Sequence, residues 1–268
     1  MLFSLLIAHY NNFTLFKDCY QSIINQSYGN FEVIILDDCS TDESYENLQN
    51  LIGNDNRFTI YRNPENKGVG YTKKKLVDFA NGQICGFVDP DDALTHHAIK
   101  KSIDCYFTKE VIATYSKINI CDENLNFKKI FPNTYKVKKA NPLFFNIQFE
   151  ISHFFTFRKS AYEKITGINP DLKIAEDMDL YLQLYEIGEI QFIPEALYFY
   201  RIHDNGLSHT QEKSKIKEDN WHQVILSATK RRNLNTLYGK KIDDIPNLPK
   251  FIYEKQNTFF NRVIKKLS

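Results

Sequence analysis

The first third of the chain alternates short apolar runs with segments of helical periodicity, and this alternation constrains the fold more than any other feature. The apolar runs lie at 3–8, 31–36, 58–61 and 84–88, and the helical segments lie at 15–25, up to 51, and at 68–80. Strands that alternate with helices form a parallel sheet covered by those helices. The sequence therefore predicts an α/β fold with a mostly parallel, Rossmann-like central sheet.

Polar residues follow each predicted strand at its carboxyl end. They are His9-Tyr10-Asn11, Asp37-Asp38, Asn63 and the run from Asp89 to Asp92. Because ligands of open α/β sheets bind at the carboxyl ends of the strands, this edge is the predicted site. The chain contains neither GxGxxG nor GxxxxGK[ST], which gives no support to a dinucleotide fingerprint or a P-loop.

The run Asp89-Pro90-Asp91-Asp92 is the first candidate for chemistry. Three carboxylates after a buried strand repel one another unless a cation lies among them, and Mg²⁺ and Mn²⁺ prefer oxygen ligands. Asp and Pro are also ordinary turn formers, so a solvated acidic turn is an equal alternative on these residues alone.

Three further groups have both a functional and a structural interpretation. Asp37-Asp38 lie in a turn where Ser40 or Thr41 could cap the next helix. Glu176-Asp177 begin a predicted helix over 176–187, where acidic residues also favour the helix dipole. His203 gains functional interest only if it reaches the same cation or phosphates.

Charge and cysteine content exclude several classes of protein. There are 34 Lys plus Arg against 33 Asp plus Glu, a net charge of +1, which argues against a nucleic-acid partner. No apolar run reaches 18 residues, and the N-terminal apolar run is better interpreted as a buried strand than as a signal peptide. The five cysteines are odd in number and lack a CxxC spacing, which favours free thiols in a reducing, cytoplasmic setting.

A change in composition near residue 211 divides the chain. Residues 1–210 read as one domain with halves 1–110 and 111–210, and 211–268 as a helical C-terminal extension. Between 250 and 268 basic residues accompany an apolar stripe of Ile252, Phe259, Phe260, Val263 and Leu267. Such a stripe fits an anionic bilayer surface, or packing on the first domain or on a second subunit, and the sequence leaves these alternatives open.

Taken together, the motifs resemble the family 2 glycosyltransferases with the GT-A fold. The segments that carry the resemblance, in the expected order, are Leu6–Asn11, Cys19–Gln26 with Phe31–Asp42, Asn66–Gly68 with Lys73, Asp89–Asp92, Glu176-Asp177, and Tyr200–His203 followed by Ser208. Any one of these motifs is weak evidence for the family, but the complete set in this order is specific to it. Cys39 stands where the family usually has Gly, Ala8-His9 replace the common Pro-Thr, and Lys73 replaces Arg, which loses the bidentate fork.

The resemblance implies an inverting transfer of a sugar from a nucleoside-diphosphate sugar, most often a UDP-sugar, to an acceptor hydroxyl. It makes 1–110 the nucleotide-sugar-binding half and 111–210 the acceptor-binding half. Asp177 is then the catalytic base, with Glu176 positioning the acceptor, and Mn²⁺ or Mg²⁺ is held by Asp91, Asp89 and His203. The implied donor-binding residues are Ala8, Tyr10, Asn11, Asp38, Asn66, Gly68, Lys73, Asp89, Pro90, Asp91 and Arg201.

The acceptor is not specified by the sequence. Family members act on glycans and on polyprenyl-linked lipids, and the Lys/Asn/Ile/Phe-rich composition suggests a bacterial source. We therefore expect surface polysaccharide synthesis, such as capsule or O-antigen, in the cytoplasm or on the inner face of the plasma membrane. The alternatives are a nucleotidyltransferase, which would normally carry a Gly-rich signature near its N-terminus, and a non-catalytic sugar-nucleotide-binding module, against which the intact Glu176-Asp177 pair argues.

Overall fold

The computed structural model describes residues 1–108, 110–203 and 214–257. The strands are β1 Phe3–His9, β2 Phe31–Asp37, β3 Phe58–Arg62, β4 Ile84–Phe87, β5 Ala93–Leu94, β6 Val111–Cys121, β7 Phe127–Ile130, β8 Thr156–Arg158, β9 Glu189–Arg201, β10 Thr236–Leu237 and β11 Lys240–Lys241. The helices are α1 Phe13–Ile24, α2 Ser44–Ile52, α3 Val69–Phe79, α4 Ala98–Cys105, α5 Lys159–Tyr162, α6 Glu176–Ile187, α7 Ser214–Arg231 and α8 Leu248–Gln256. The predicted α/β class is confirmed.

One sheet runs through the domain in the order β3-β2-β1-β4-β8-β6-β9-β5, with β7 added beside β6. The four strands of the first half are parallel to one another. The second half joins them through β8, which is antiparallel to both β4 and β6, while β6 and β9 run parallel. In the β1–β2 register His9 lies opposite Asp37, so the polar residues after these strands emerge side by side.

The parallel strands are buried on both faces because successive side chains point to opposite sides of the sheet. In β1, Leu5 and Ile7 join the core beneath α1 and α2, whereas Leu6 joins the core beneath α3 and α6. This explains why the strands appear in the sequence as continuous apolar runs rather than as alternating ones.

The predicted cap of α2 was wrong. Neither Ser40 nor Thr41 caps α2, which begins at Ser44, because Ser40 binds Asp37 instead. The sequence pattern also favours a short helix over 138–146, but these residues form turns. It favours two separate extended segments at 192–193 and 197–200, but both belong to the single strand β9, whose register against β6 shifts along its length.

The described part of the C-terminal extension packs on the preceding domain. It contains α7 and α8, as predicted, and also an unpredicted hairpin of β10 and β11. Its apolar side chains share one core with α6, since Val224, Leu248 and Ile252 contact the cluster that includes Met178 and Leu182. Among the residues that the structure describes, none of the helices combines the length and apolar character that crossing a membrane requires.

The predicted apolar stripe can be followed only at its beginning. Ile252 is 0% exposed and lies in the shared core, so this member of the stripe packs on protein. Phe259, Phe260, Val263 and Leu267 lie outside the described residues, as does Ser208 of the late motif.

We expect Ile252→Ala to lower the free energy of unfolding by about 2–5 kcal/mol, because it removes buried apolar volume and leaves a cavity. The matched control is Tyr253→Ala, whose side chain is 48% exposed on the same helix and whose loss should change stability by less than about 0.5 kcal/mol. Urea denaturation followed by circular dichroism measures both. Equal stability of the two variants would show that α8 does not contribute to the core.

Candidate active site

Asp38 organises the loop that precedes α3. Its carboxylate accepts hydrogen bonds from Asn63 Nδ2 at 2.7 Å, from the Lys67 amide at 2.9 Å and from the Gly68 amide at 2.7 Å. Gly68 has φ +86°, a conformation that an L side chain rarely adopts, so glycine suits this turn. Asp38, a predicted donor-binding residue, therefore holds the loop that carries two others, Gly68 and the exposed Asn66.

The turns after β1 and β2 are tied together by Asn11. Its side chain donates to Thr41 Oγ1 and accepts from the Thr41 amide at 2.8 Å. Tyr10 beside it is 44% exposed, which leaves its ring free to stack on a planar ligand, and Ala8 is half-buried at the end of β1. Cys39 has φ +61°, which explains on backbone grounds why Gly is usual at this position of the resembled family.

Asp37 forms the floor of this region. Its carboxylate accepts from the Ser40 amide at 2.9 Å and lies 3.3 Å from His9 Nδ1 and 3.4 Å from Arg62 Nε. Burial raises its pKa, but the hydrogen bonds with His9 and Ser40 outweigh burial and hold the pKa below its ordinary value. Asp37 is thus an ionised anchor, while its neighbour Asp38 organises the donor loop.

A buried ammonium joins three carboxylates that are distant in the sequence; we call Lys73, Asp89, Glu176 and Asp177 the Lys73 cluster. Lys73 Nζ lies 2.8 Å from Glu176 Oε1, 2.9 Å from Asp177 Oδ1 and 3.4 Å from Asp89 Oδ1, with 3% of the Lys73 side chain exposed. Burial alone would lower the pKa of Lys73, but the three carboxylates outweigh it and hold the pKa well above its ordinary value.

The cluster brings the two predicted acidic motifs together. Asp89 lies two residues after the end of β4, whereas Glu176 and Asp177 belong to the first turn of α6. Lys73, on α3, is a predicted donor-binding residue, and its ammonium contacts the predicted base, Asp177. A shared cation stabilises carboxylates that would otherwise repel one another.

We expect Lys73→Met to lower the free energy of unfolding by about 2–3 kcal/mol, because it leaves the three carboxylates without their buried counter-ion. Lys73→Arg should lower the free energy of unfolding by less, since it keeps the positive charge. Lys75→Met is the matched control, because Lys75 lies on the same helix with its side chain 43% exposed and should be nearly neutral. Chemical denaturation of the four proteins tests this, and a Met variant as stable as wild type would mean that the cluster does not need its cation.

His153 was missed by the sequence analysis. Its Nε2 lies 3.9 Å from both Asp89 Oδ2 and Asp177 Oδ2, and its ring stacks on Tyr198 with centroids 5.0 Å apart. The Tyr198 hydroxyl in turn accepts a hydrogen bond from the Asp89 amide at 3.1 Å. A lone histidine in an irregular segment gives no signal in the sequence, so only the fold identifies it.

Asp91 and His203, both predicted metal ligands, also lie together in the structure. His203 Nε2 lies 2.9 Å from Asp91 Oδ2, and both side chains are partly exposed. The two residues are far apart in the sequence, and they meet because β5, which follows the acidic turn, pairs with β9. Pro90 is half-buried in the same turn.

Arg201 lies beneath this pair and is buried. Its Nε donates to the Asp91 carbonyl at 2.6 Å, its Nη1 donates to the Glu123 carbonyl at 2.6 Å, and its Nη2 contacts Asp18 Oδ2 at 2.8 Å. Its amide donates to Asp92 at 2.8 Å. In the structure Arg201 therefore positions the acidic turn, and its predicted contact with the donor remains a prediction.

Two groups of side chains at this edge could hold a divalent cation. One is Asp91 with His203, and the other is Asp89, His153 and Asp177, whose ligand atoms all lie within 4.8 Å of one another. Carboxylate oxygen and imidazole nitrogen suit Mn²⁺. The Lys73 ammonium already contacts both carboxylates of the second group, Asp89 and Asp177. The Asp91–His203 pair is therefore the better fit to a metal.

A parallel half with its site at the strand ends, continued by a mixed half that carries a second acidic pair, is the architecture of GT-A glycosyltransferases. Staphylococcus aureus TarS in complex with UDP-GlcNAc superposes with a TM-score of 0.70 at 19% identity, covering 84% of this chain and 66% of that one. A mannosyltransferase from Pyrobaculum calidifontis, in complex with GDP-Man and Mn²⁺, gives 0.65 at 14% identity over 94% of this chain and 68% of its own.

The chain belongs to glycosyl transferase family 2, whose family model matches residues 4–166, more than half of its length. Curated relatives include the hyaluronan synthase of Pasteurella multocida and the chondroitin synthase of Escherichia coli, each 26% identical over 95% of this chain. The chain spans only 26% and 36% of the length of these two relatives.

Proposed function

We propose that this chain is a glycosyltransferase that moves a sugar from a nucleoside-diphosphate sugar to an acceptor hydroxyl with inversion. The observation that carries the proposal is the Lys73 cluster, in which the Asp89 carboxylate and the Glu176-Asp177 pair meet from opposite halves of the fold. The neighbouring Asp91–His203 pair supports it, because a carboxylate and an imidazole that could together hold a metal lie at the same sheet edge.

The donor is proposed to be a UDP-sugar. The exposed Tyr10 would stack on the base, Asp38 would accept from its imide N–H, and the backbone near Ala8 would line it. Asn11, Asn66, Gly68 and Pro90 belong to the turns that surround this space. The complex of TarS with UDP-GlcNAc is consistent with this choice of nucleotide.

Asp177 is proposed as the general base that takes the proton of the acceptor hydroxyl, with Glu176 positioning the acceptor. Lys73 Nζ contacts both oxygens of Asp177, at 2.9 and 3.0 Å, so transfer requires Lys73 to release at least one of them to the acceptor hydroxyl. The donor diphosphate offers Lys73 another anionic partner. A divalent cation held by Asp91 and His203, with Asp89 near it, would neutralise charge on the departing diphosphate.

The proposed setting is the synthesis of a bacterial surface polysaccharide, with a glycan or a polyprenyl-linked lipid as acceptor. The hyaluronan and chondroitin synthases among the relatives support this class. We propose a cytoplasmic location or a peripheral one at the inner face of the plasma membrane, reached through the C-terminal extension, which is also the proposed surface for a homo-oligomer.

The test is a donor screen with the purified protein and Mn²⁺, in which release of nucleoside diphosphate is measured. We expect one nucleotide sugar to be hydrolysed slowly without acceptor and faster with it. Release of pyrophosphate would instead indicate a nucleotidyltransferase. Donor binding with no turnover across the whole screen would indicate a non-catalytic binding module.

A further inference from the structure

Phe149 of the second half of the domain and Trp221 of α7 pack on each other at the surface, outside the site described above. Phe149 is 42% exposed, and its ring packs on that of Trp221 from α7, with centroids 5.5 Å apart and planes inclined by 35°. The indole N–H of Trp221 is buried and has no hydrogen-bond acceptor within 1–108, 110–203 and 214–257. Trp221 itself is half-buried and packs against the core that α6, α7 and α8 share, while Phe149 carries the exposed ring. We call the two rings the aromatic platform.

Phe149 adopts an unfavourable backbone conformation. Phe149 has φ +61°, a conformation in which bulky residues are rare. The turn is fixed by Asn146, which donates to the Ile151 carbonyl at 2.9 Å and accepts from its amide at 2.7 Å. Conformations of this kind persist where the surrounding structure imposes them, and they concentrate at ligand-binding sites.

The platform is tied from both sides to the helix that carries the proposed base. Asn146 Nδ2 lies 3.3 Å from Met178 Sδ, and Met178 follows Asp177 in the sequence. On the other side, Asn220 Nδ2 donates at 3.2 Å to the carbonyl of Ile174, just before Glu176. The platform is therefore fixed to the start of α6.

The distance from the platform to the reaction centre is limited by the chain. Phe149 is four residues before His153, whose ring lies 3.9 Å from Asp177. Four residues extend over at most about 14 Å. A ligand lying against the platform is thus within the length of a few sugar rings of the proposed base.

We propose that the aromatic platform of Phe149 and Trp221 binds a pyranose ring of a saccharide acceptor. This rests on the proposed function and narrows its acceptor from any hydroxyl to an oligosaccharide. One face of a pyranose presents only C–H groups, which leave water favourably against an aromatic ring, while its hydroxyls stay solvated at the edge. Aromatic side chains commonly line ligand sites, and this pair lies close to the proposed base.

The chain contains a single tryptophan, so its fluorescence reports on the platform itself. The probes are tetrasaccharides of defined composition, including those of hyaluronan and chondroitin and a glucose series, titrated at millimolar concentrations with no donor present. We expect at least one to change Trp221 fluorescence saturably. The absence of any change across the series, or a response to phospholipid vesicles alone, would overturn the proposal.

Variants separate the platform from the donor site. With the tetrasaccharide that binds, Phe149→Ala should raise KM for the acceptor about tenfold. It should leave kcat and acceptor-independent donor hydrolysis unchanged. Phe149→Tyr keeps an aromatic ring and should restore the wild-type KM. Phe107→Ala, which removes a 75% exposed ring elsewhere, is the matched control and should change nothing. An unchanged KM in Phe149→Ala would refute the platform. A protein that hydrolyses no donor would refute the proposed function, while the fluorescence titration still decides the platform.

Discussion

Asp177→Asn is expected to abolish sugar transfer while leaving folding and donor affinity nearly intact. Asn has the shape of Asp but cannot accept the proton of the acceptor hydroxyl, and loss of a general base typically lowers the rate by about 10²–10⁴. Lys73 keeps two carboxylate partners in this variant, Glu176 and Asp89, so its buried ammonium stays paired. Initial rates with saturating donor measure the loss, and calorimetric titration of the donor checks binding.

The matched control for this variant lies on the same helix. Asp179 is buried two residues further along α6, where it accepts from Gln183 Nε2 at 2.9 Å and lies 3.7 Å from Arg231. Burial raises the pKa of Asp179, and Arg231 only partly opposes this. Because this site disfavours a charged side chain, the neutral Asn is a tolerable substitute. We expect Asp179→Asn to transfer at close to the wild-type rate. If Asp177→Asn does so too, the base lies elsewhere, and Glu176 is the next residue to test.

Asp91→Ala is expected to remove the dependence of donor binding on Mn²⁺ and to lower activity at least about a hundredfold, because charge on the departing diphosphate would no longer be neutralised. The turn itself should persist, since Arg201 holds it through the Asp91 carbonyl and the Asp92 side chain. Donor titrations with Mn²⁺ and with a chelator measure the effect in both proteins.

His203→Ala should share the metal-dependent defect, since its Nε2 faces Asp91 Oδ2. Asp104→Ala, which removes an exposed carboxylate from α4, controls for the loss of one negative charge. If the wild type binds the donor equally well with Mn²⁺ and with chelator, Asp91 does not hold a metal.

The sequence by itself determined the elements whose signals are local. Apolar runs predicted the four parallel strands, and helical periodicity predicted α6 over Glu176–Ile187. The polar residues after the strands predicted the site edge, because chain direction alone places the ends of parallel strands together. The order of short motifs was sufficient to identify the family.

Only the tertiary structure decided which of these residues meet. Lys73 contacts Asp177 across 104 positions of sequence, and nothing in the local pattern distinguishes that partner from the donor phosphate. His153, Arg201 and the Phe149–Trp221 platform are positioned by β9 and α7, whose packing depends on contacts between distant segments. Secondary structure follows from periodicity within a few residues, whereas a buried charge cluster forms only when packing excludes water and leaves its groups no other partners.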